Sequence, residues 1–185
     1  MALSRSSAVN LKALTLQQPS EKLQRSYNDY IIELKDEERY PYPLDLPHHD
    51  FTALITTLQD YSLGKNLPSW LVPNTTYWLL HNNEIVGCSH LRHELNEALR
   101  QAGGHIGLGI RPAYRGKGLG KVLLQKTLEK AKEKHIQEVH IHCYGDNVAS
   151  MRMIESVGAT IHSAVAQENS NQKVLRYIFN TKALR

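Results

Sequence analysis

The chain has 185 residues, 41% hydrophobic and 22% charged, a length and balance that fit one globular domain able to bury its own core. No apolar run approaches the roughly 20 residues of a membrane span, and the polar start MALSRSSAVN lacks the apolar core of a secretion signal, so a cytoplasmic protein without membrane attachment is expected. Cys88 and Cys143 lie far apart and outside any CxxC pair, which excludes a disulfide framework or a zinc knuckle, and the net charge of +4 leaves an anionic ligand open.

In chain order, residues 1–10 read as a loose tail on a single domain spanning 1–185. Leu14 to Leu16 alternate as a short strand does, and Pro19 and Ser20 start a helix carrying Leu23, Tyr27, Tyr30, Ile31 and Leu34 on one face. The prolines of YPYPLDLP, residues 40–47, deny a helix or central strand its donors, so this segment is loop. A second helix runs from about Asp50 through Phe51, Leu54, Leu58 and Tyr61 to a stop at Gly64, followed by a proline-bounded loop over 67–74. TYWLLHNNEIVGCSHL is a hairpin turning at Asn82 and Asn83. A polar, partly helical stretch over 92–102 leads to the strand HIGLGI, a basic helix from about Lys117 to Lys134, and the strand Val139 to Cys143. A short helix opened by Asp146 or Asn147 and two strands near 161–166 and 174–179 complete the chain. The order predicts an α/β fold built on a single mixed, mostly antiparallel sheet flanked by helices.

The charge is concentrated. Residues 111–135 carry eight basic and two acidic side chains, a local +6 against +4 for the whole, so the remainder is −2. In the same place RPAYRGKGLGKVLL puts Gly116, Gly118 and Gly120 at the start of a helix. The first amides of a helix lack intrahelical partners and sit at the positive end of its dipole, so glycines there open an approach for phosphate, with Arg115 and Lys117 adding charge. A P-loop is excluded because neither Gly-Lys pair is followed by Ser or Thr, and the dinucleotide fingerprint fails for want of its third glycine.

Arg115, Gly118 and Gly120 instead match the coenzyme A loop of the GCN5-related N-acetyltransferase (GNAT) superfamily: Arg or Gln, two residues, Gly, one residue, Gly or Ala. DNVASMRMIESVGA, with Asn147, Ser150, Ile154, Gly158 and Ala159, resembles the second conserved block of that family, and LRHELNEALRQAGGHIG resembles a bacterial branch of it. The resemblance covers residues 76–160 well and the first 70 by element order. It implies a GNAT-like fold and acetyl transfer from acetyl-CoA to a primary amine, by direct attack within a ternary complex. The cofactor would lie along Leu108, Gly109 and Ile110, on the amides of Arg115, Gly116, Lys117, Gly118, Leu119 and Gly120, and beside Asn147 and Ser150. The amide near Leu108 or Ile110 would polarise the thioester carbonyl.

An alkylamine is protonated at neutral pH, so transfer needs a base, for which His105 and Glu94 are the candidates. The family's acid tyrosine is replaced by Ile154, leaving Tyr144, Cys143 or Asn147 through water, or an unassisted thiolate. That vacancy motivates the rival reading of a non-catalytic acyl-CoA-binding module. His140 and His142 share a strand face with no third ligand near in sequence, so no metal is expected. Asp36, Glu37 and Glu38 beside Tyr40 and Tyr42 offer carboxylates and rings to a cationic acceptor, a small-molecule or peptide amine. Nucleic acid is not expected, because the basic helix lacks interleaved aromatics, and the assembly is a monomer or homodimer.

Overall fold

The computed structural model describes residues 9–166 and 172–184. Residues 1–8 of the expected tail lie outside them; its last two residues are held, Val9 against the core and Asn10 by its side chain, which accepts from the Lys12 amide at 3.1 Å and caps the turn Leu11–Ala13.

Turn chemistry sets the central hairpin. Asn82 and Asn83 take φ of 51° and 62°, the left-handed pair that a two-residue type I′ turn requires and asparagine tolerates. β2 (Asn74–His81) and β3 (Glu84–Arg92) therefore fold back on each other as the sequence predicts. Asn74, expected in the preceding loop, opens β2 instead; it is buried, and its amide donates to the Val72 carbonyl at 2.8 Å. β1 (Thr15–Gln17) extends the free edge of β2 and β4 (Ile106–Ile110) that of β3, all antiparallel.

β5 (Glu138–Tyr144), β6 (Thr160–Ala166) and β7 (Lys173–Asn180) form a separate antiparallel sheet in the order β5-β7-β6. The α/β class with antiparallel strands flanked by helices agrees with expectation, whereas the single continuous sheet is replaced by two. The reason lies at the seam. His105 N–H donates to the His140 carbonyl at 2.7 Å and His140 N–H donates to His105 Nδ1 at 2.9 Å. Among the described residues a single bridge, Gly104 to Ile141, is all that pairs the two sheets there, and beyond it a cavity lies between β4 and β5, reached by Ile110 on one side and Tyr144 on the other.

Helices cover both faces. α1 (Gln24–Leu34) buries Tyr27, Tyr30, Ile31 and Leu34, and α2 (Phe51–Ser62) buries Phe51, Leu54, Ile55, Leu58 and Tyr61, at the spacing that gives a helix one apolar stripe. Both stripes pack with Trp78 and Cys88 into one core. Asp50 caps α2 by accepting from the Ala53 amide at 3.0 Å. On the opposite face α4 (Leu119–Glu133) buries Leu119, Leu123, Leu124, Leu128 and Ala131, and α5 (Val148–Ser156) packs alongside through Ile154 and Met153. Truncating a fully buried leucine such as Leu124 to alanine costs about 2 to 5 kcal/mol. The proline segment stays irregular apart from the turn Tyr42–Asp45, where Pro43 costs nothing because the first amides of a turn are unpaired anyway. α3 (Glu97–Gln101) is the short helix expected before β4.

Candidate active site

The cavity between β4 and β5 has a volume of about 520 Å³. Its β4 wall is backbone. Arg92 N–H donates to the His105 carbonyl at 2.8 Å and Arg111 N–H to the Val86 carbonyl at 3.0 Å, which phases the antiparallel ladder so that odd-numbered residues of β4 bond to β3. The amides of Leu108 and Ile110 consequently face the gap. The carbonyl of Ile110 faces the same way and accepts from Arg115 Nε at 3.0 Å. The glycines of this strand serve a different purpose: a Cβ on Gly109 would lie 2.5 Å from the Tyr40 carbonyl oxygen, and one on Gly107 2.8 Å from the Tyr40 hydroxyl. They let the loop after α1 close over β4.

Arg115 lines the cavity, and Gly116 to Gly120, which follow it directly in the chain, do not. Asp50, Asn96 and Asn147 cap α2, α3 and α5, but no side chain caps α4, whose N-cap is Gly118. Gly116 and Gly118 take φ of 72° and 78°, and a Cβ on either meets nothing within 4 Å. Their conformation and the open space beside them fit an approach by a phosphate. Three neighbours behave otherwise. Lys117 folds back, its Nζ donating to the Ala113 carbonyl at 3.1 Å and lying over the Tyr114 ring. The Leu119 side chain is core, leaving its amide alone for a ligand. Gly120 is a packing residue, since a Cβ there would sit 2.9 Å from Met153 Sδ on α5.

On the β5 side Cys143, Tyr144, Asn147 and Ser150 line the cavity. Asn147 caps α5, its Oδ1 accepting from the Ser150 amide at 3.0 Å. Burial, and then the charge of Glu155, pushes the Cys143 thiol up to about 11. Ile154, at the position of the family tyrosine, is fully enclosed in the core.

Neither expected base is brought to the cavity. Glu94 is exposed on the connection after β3 and does not line it. His105 is buried at the seam, and its Nδ1 accepts the His140 amide proton, so a neutral ring carries its own proton on Nε2 and has no lone pair free. Burial, followed by His140, His142, Arg100 and Arg92, lowers its pKa to about 4. The cavity presents His142 instead, with both ring nitrogens buried and without hydrogen-bond partners among the described residues. Burial, then His140, Arg176 and Arg92, hold it neutral, with a pKa near 4. The alternation of His140 and His142 on β5 was legible; which of the two meets the cavity was not. His140 pairs with Glu138 at 3.1 Å, and among the described residues no three His, Cys, Asp or Glu side chains are placed to hold a metal.

The acidic segment after α1 divides. Glu37 receives two hydrogen bonds from Arg115, at 3.1 and 2.7 Å, which hold its carboxyl below the usual range. Glu38 lines the cavity, and Asp36 does not. Arg92, which sequence reasoning did not single out, lines it as well.

A family model described as "Acetyltransferase (GNAT) family" matches residues 25–159. N-alpha-acetyltransferase 30 of Saccharomyces cerevisiae is 27% identical over 131 residues, 63% of this chain and 73% of that protein. The [ribosomal protein bS18]-alanine N-acetyltransferase of Haemophilus influenzae is 32% identical over 80 residues, 43% of this chain and about half, 51%, of that protein. Among solved structures, the ribosomal-protein-S5-alanine acetyltransferase of Vibrio fischeri superposes with a TM-score of 0.68 at 11% identity, covering 94% of this chain and 96% of that one. A putative acetyltransferase of Salmonella typhimurium with its cofactor acetyl-CoA gives 0.59 at 14% identity, covering 91% and 94%. At these identities the superpositions establish a common fold.

Proposed function

The chain belongs to the acetyltransferase (GNAT) family, and on that premise we propose that it moves an acetyl group from acetyl-CoA to a primary amine by direct attack within a ternary complex. The whole chain is read as one such domain, working in the cytoplasm on a small-molecule or peptide amine. The observation that carries the reading is the gap between β4 and β5, where the amides of Leu108 and Ile110 point inward and Arg115, three residues before the uncapped N-terminus of α4, lines the wall.

The residues present fit acetyl-CoA. The amides from Gly116 to Gly120, in a segment of local +6 charge, would hold the pyrophosphate, and Asn147 and Ser150 would border the arm across the gap. The Leu108 or Ile110 amide would donate to the thioester oxygen, a contact whose single loss costs about 3 to 4 kcal/mol of transition-state stabilisation in well-studied enzymes. His142, rather than His105 or Glu94, would take the proton that the amine sheds as its nitrogen bonds to the acetyl carbon. As the carbon–sulfur bond breaks, the sulfur leaves as a thiolate; with a thiol pKa of about 8.5 it departs without obligatory protonation, and Tyr144 is the hydroxyl lining that wall.

Thiol release from acetyl-CoA, followed against a panel of amino acids, polyamines, aminoglycosides and peptides, tests the reading. Acceptor-dependent release supports it. Binding of acetyl-CoA without release by any amine would support the non-catalytic module that the loss of the tyrosine at Ile154 suggests.

A further inference from the structure

Arg92 terminates β3 at the inner end of the cavity, only 8% exposed. Its Nη1 donates to the carbonyls of Gly103 and Gly104, at 3.3 and 3.0 Å, so the contacts are with neutral oxygens. Burial pulls its pKa below the ordinary arginine value, and among the described residues no carboxylate offsets this. A desolvated guanidinium without a counter-charge is costly unless something anionic arrives. The neighbourhood repeats the pattern: Arg176, the cross-strand partner of His142, spends its donors on Ser163 Oγ at 2.8 Å, the Arg100 carbonyl at 3.3 Å and Gln101 Oε1 at 3.4 Å. The phosphate-binding end is separate, because Arg115 stands at the far end of β4, roughly 15 to 20 Å away at the rise of a strand.

Resting on the transferase reading above, we propose that the acceptor is an amine that also carries a carboxylate, an amino acid in chemical class, with Arg92 binding the carboxylate and presenting the amine to His142. Glu38, on the loop wall of the cavity, would face the ammonium end. The polarity of the pocket is thus reversed from a site for polyamines, since its buried charge, Arg92, is positive and its two acids, Glu37 and Glu38, are exposed.

The test uses reaction products, which need no turnover. N-acetylalanine, N-acetylmethionine and N-acetylglutamate, and the C-terminal amide of each, are titrated calorimetrically into the protein saturated with CoA. At least one acid is expected to bind about tenfold or more tighter than its amide. Arg92→Lys should keep part of that preference, and Arg92→Gln should abolish it while CoA affinity stays within about twofold. No acid preference in the wild-type protein, or a preference that survives in folded Arg92→Gln, overturns the proposal. If Arg92→Gln does not fold, the wild-type acid-to-amide ratio and Arg92→Lys decide. Acid-selective binding without acceptor-dependent thiol release would sink acetyl transfer and leave the Arg92 site standing; transfer to acids and amides alike would do the opposite.

Discussion

Arg115 and Glu37 are joined by two hydrogen bonds, 3.1 and 2.7 Å long, that tie the glycine turn before α4 to the end of α1. Both side chains are about half exposed, so the pair adds little to stability. Its interest is competition, because the carboxylate occupies the guanidinium that an incoming pyrophosphate would use. Glu37→Gln is therefore expected to tighten acetyl-CoA binding by about twofold to fivefold, the gain shrinking as salt rises. Calorimetry at low and high ionic strength checks it; weaker binding in the variant would show that Glu37 positions Arg115 for the ligand.

The glycines of the cleft should separate by role. Gly109→Ala drives a methyl into the Tyr40 carbonyl and is expected to lose about 1 to 3 kcal/mol of stability as the loop is displaced. Gly120→Ala presses closely only on the flexible Met153 side chain, with Ile110 at ordinary contact distance, so the loss there should stay below about 1.5 kcal/mol with acetyl-CoA affinity nearly unchanged. Urea unfolding and ligand titration of each variant measure both quantities. Equal effects on ligand binding would mean that Gly120 also guards the phosphate approach.

His142 and His105 should behave differently when replaced. His142→Gln is expected to lower kcat by about a hundredfold, within the usual range for a lost base, with acetyl-CoA affinity intact. His105→Gln removes the acceptor of the His140 amide and should show mainly as lost stability, about 1 to 3 kcal/mol. Paired kcat and thermal-melt measurements distinguish them; a kcat loss confined to His105→Gln would return the base role to that residue.

Acid should destabilise the fold. His93, His105 and His142 are each held near pKa 4 by burial above all, against about 6.5 in an unfolded chain. Between these values the unfolded state binds more protons, so stability is complete above pH 6.5 and falls as pH drops toward 4. Each ring contributes at most about 1.4 kcal/mol per pH unit, reduced where solvent reaches it. A flat melting temperature from pH 7 to 4.5 would contradict this.

What the sequence disclosed follows the range of the interactions involved. The Asn82–Asn83 turn, the apolar stripes of α1 and α2, and the Asn147 cap are local, and each was legible from spacing and turn chemistry. Arg115 and Gly118 were legible because a helix start announces itself within a few residues. Arg92, His142 and the Glu37–Arg115 pair were not, because their meaning arises from contacts across dozens of residues, as with the 78 that separate Glu37 from Arg115. The splitting of one expected sheet into two belongs to the same class: His105 meeting His140 at the seam is a tertiary contact with no periodic signal.

The most direct test of the central claim, that the open N-terminus of α4 receives the phosphates of acetyl-CoA, is calorimetric titration of acetyl-CoA into the wild-type protein and Gly118→Trp. The indole would fill the space that is empty beside Gly118. Binding by the wild type, and a loss of at least about a hundredfold in a variant that still melts cooperatively, is the expected result. Undiminished affinity in folded Gly118→Trp would contradict the placement of the ligand.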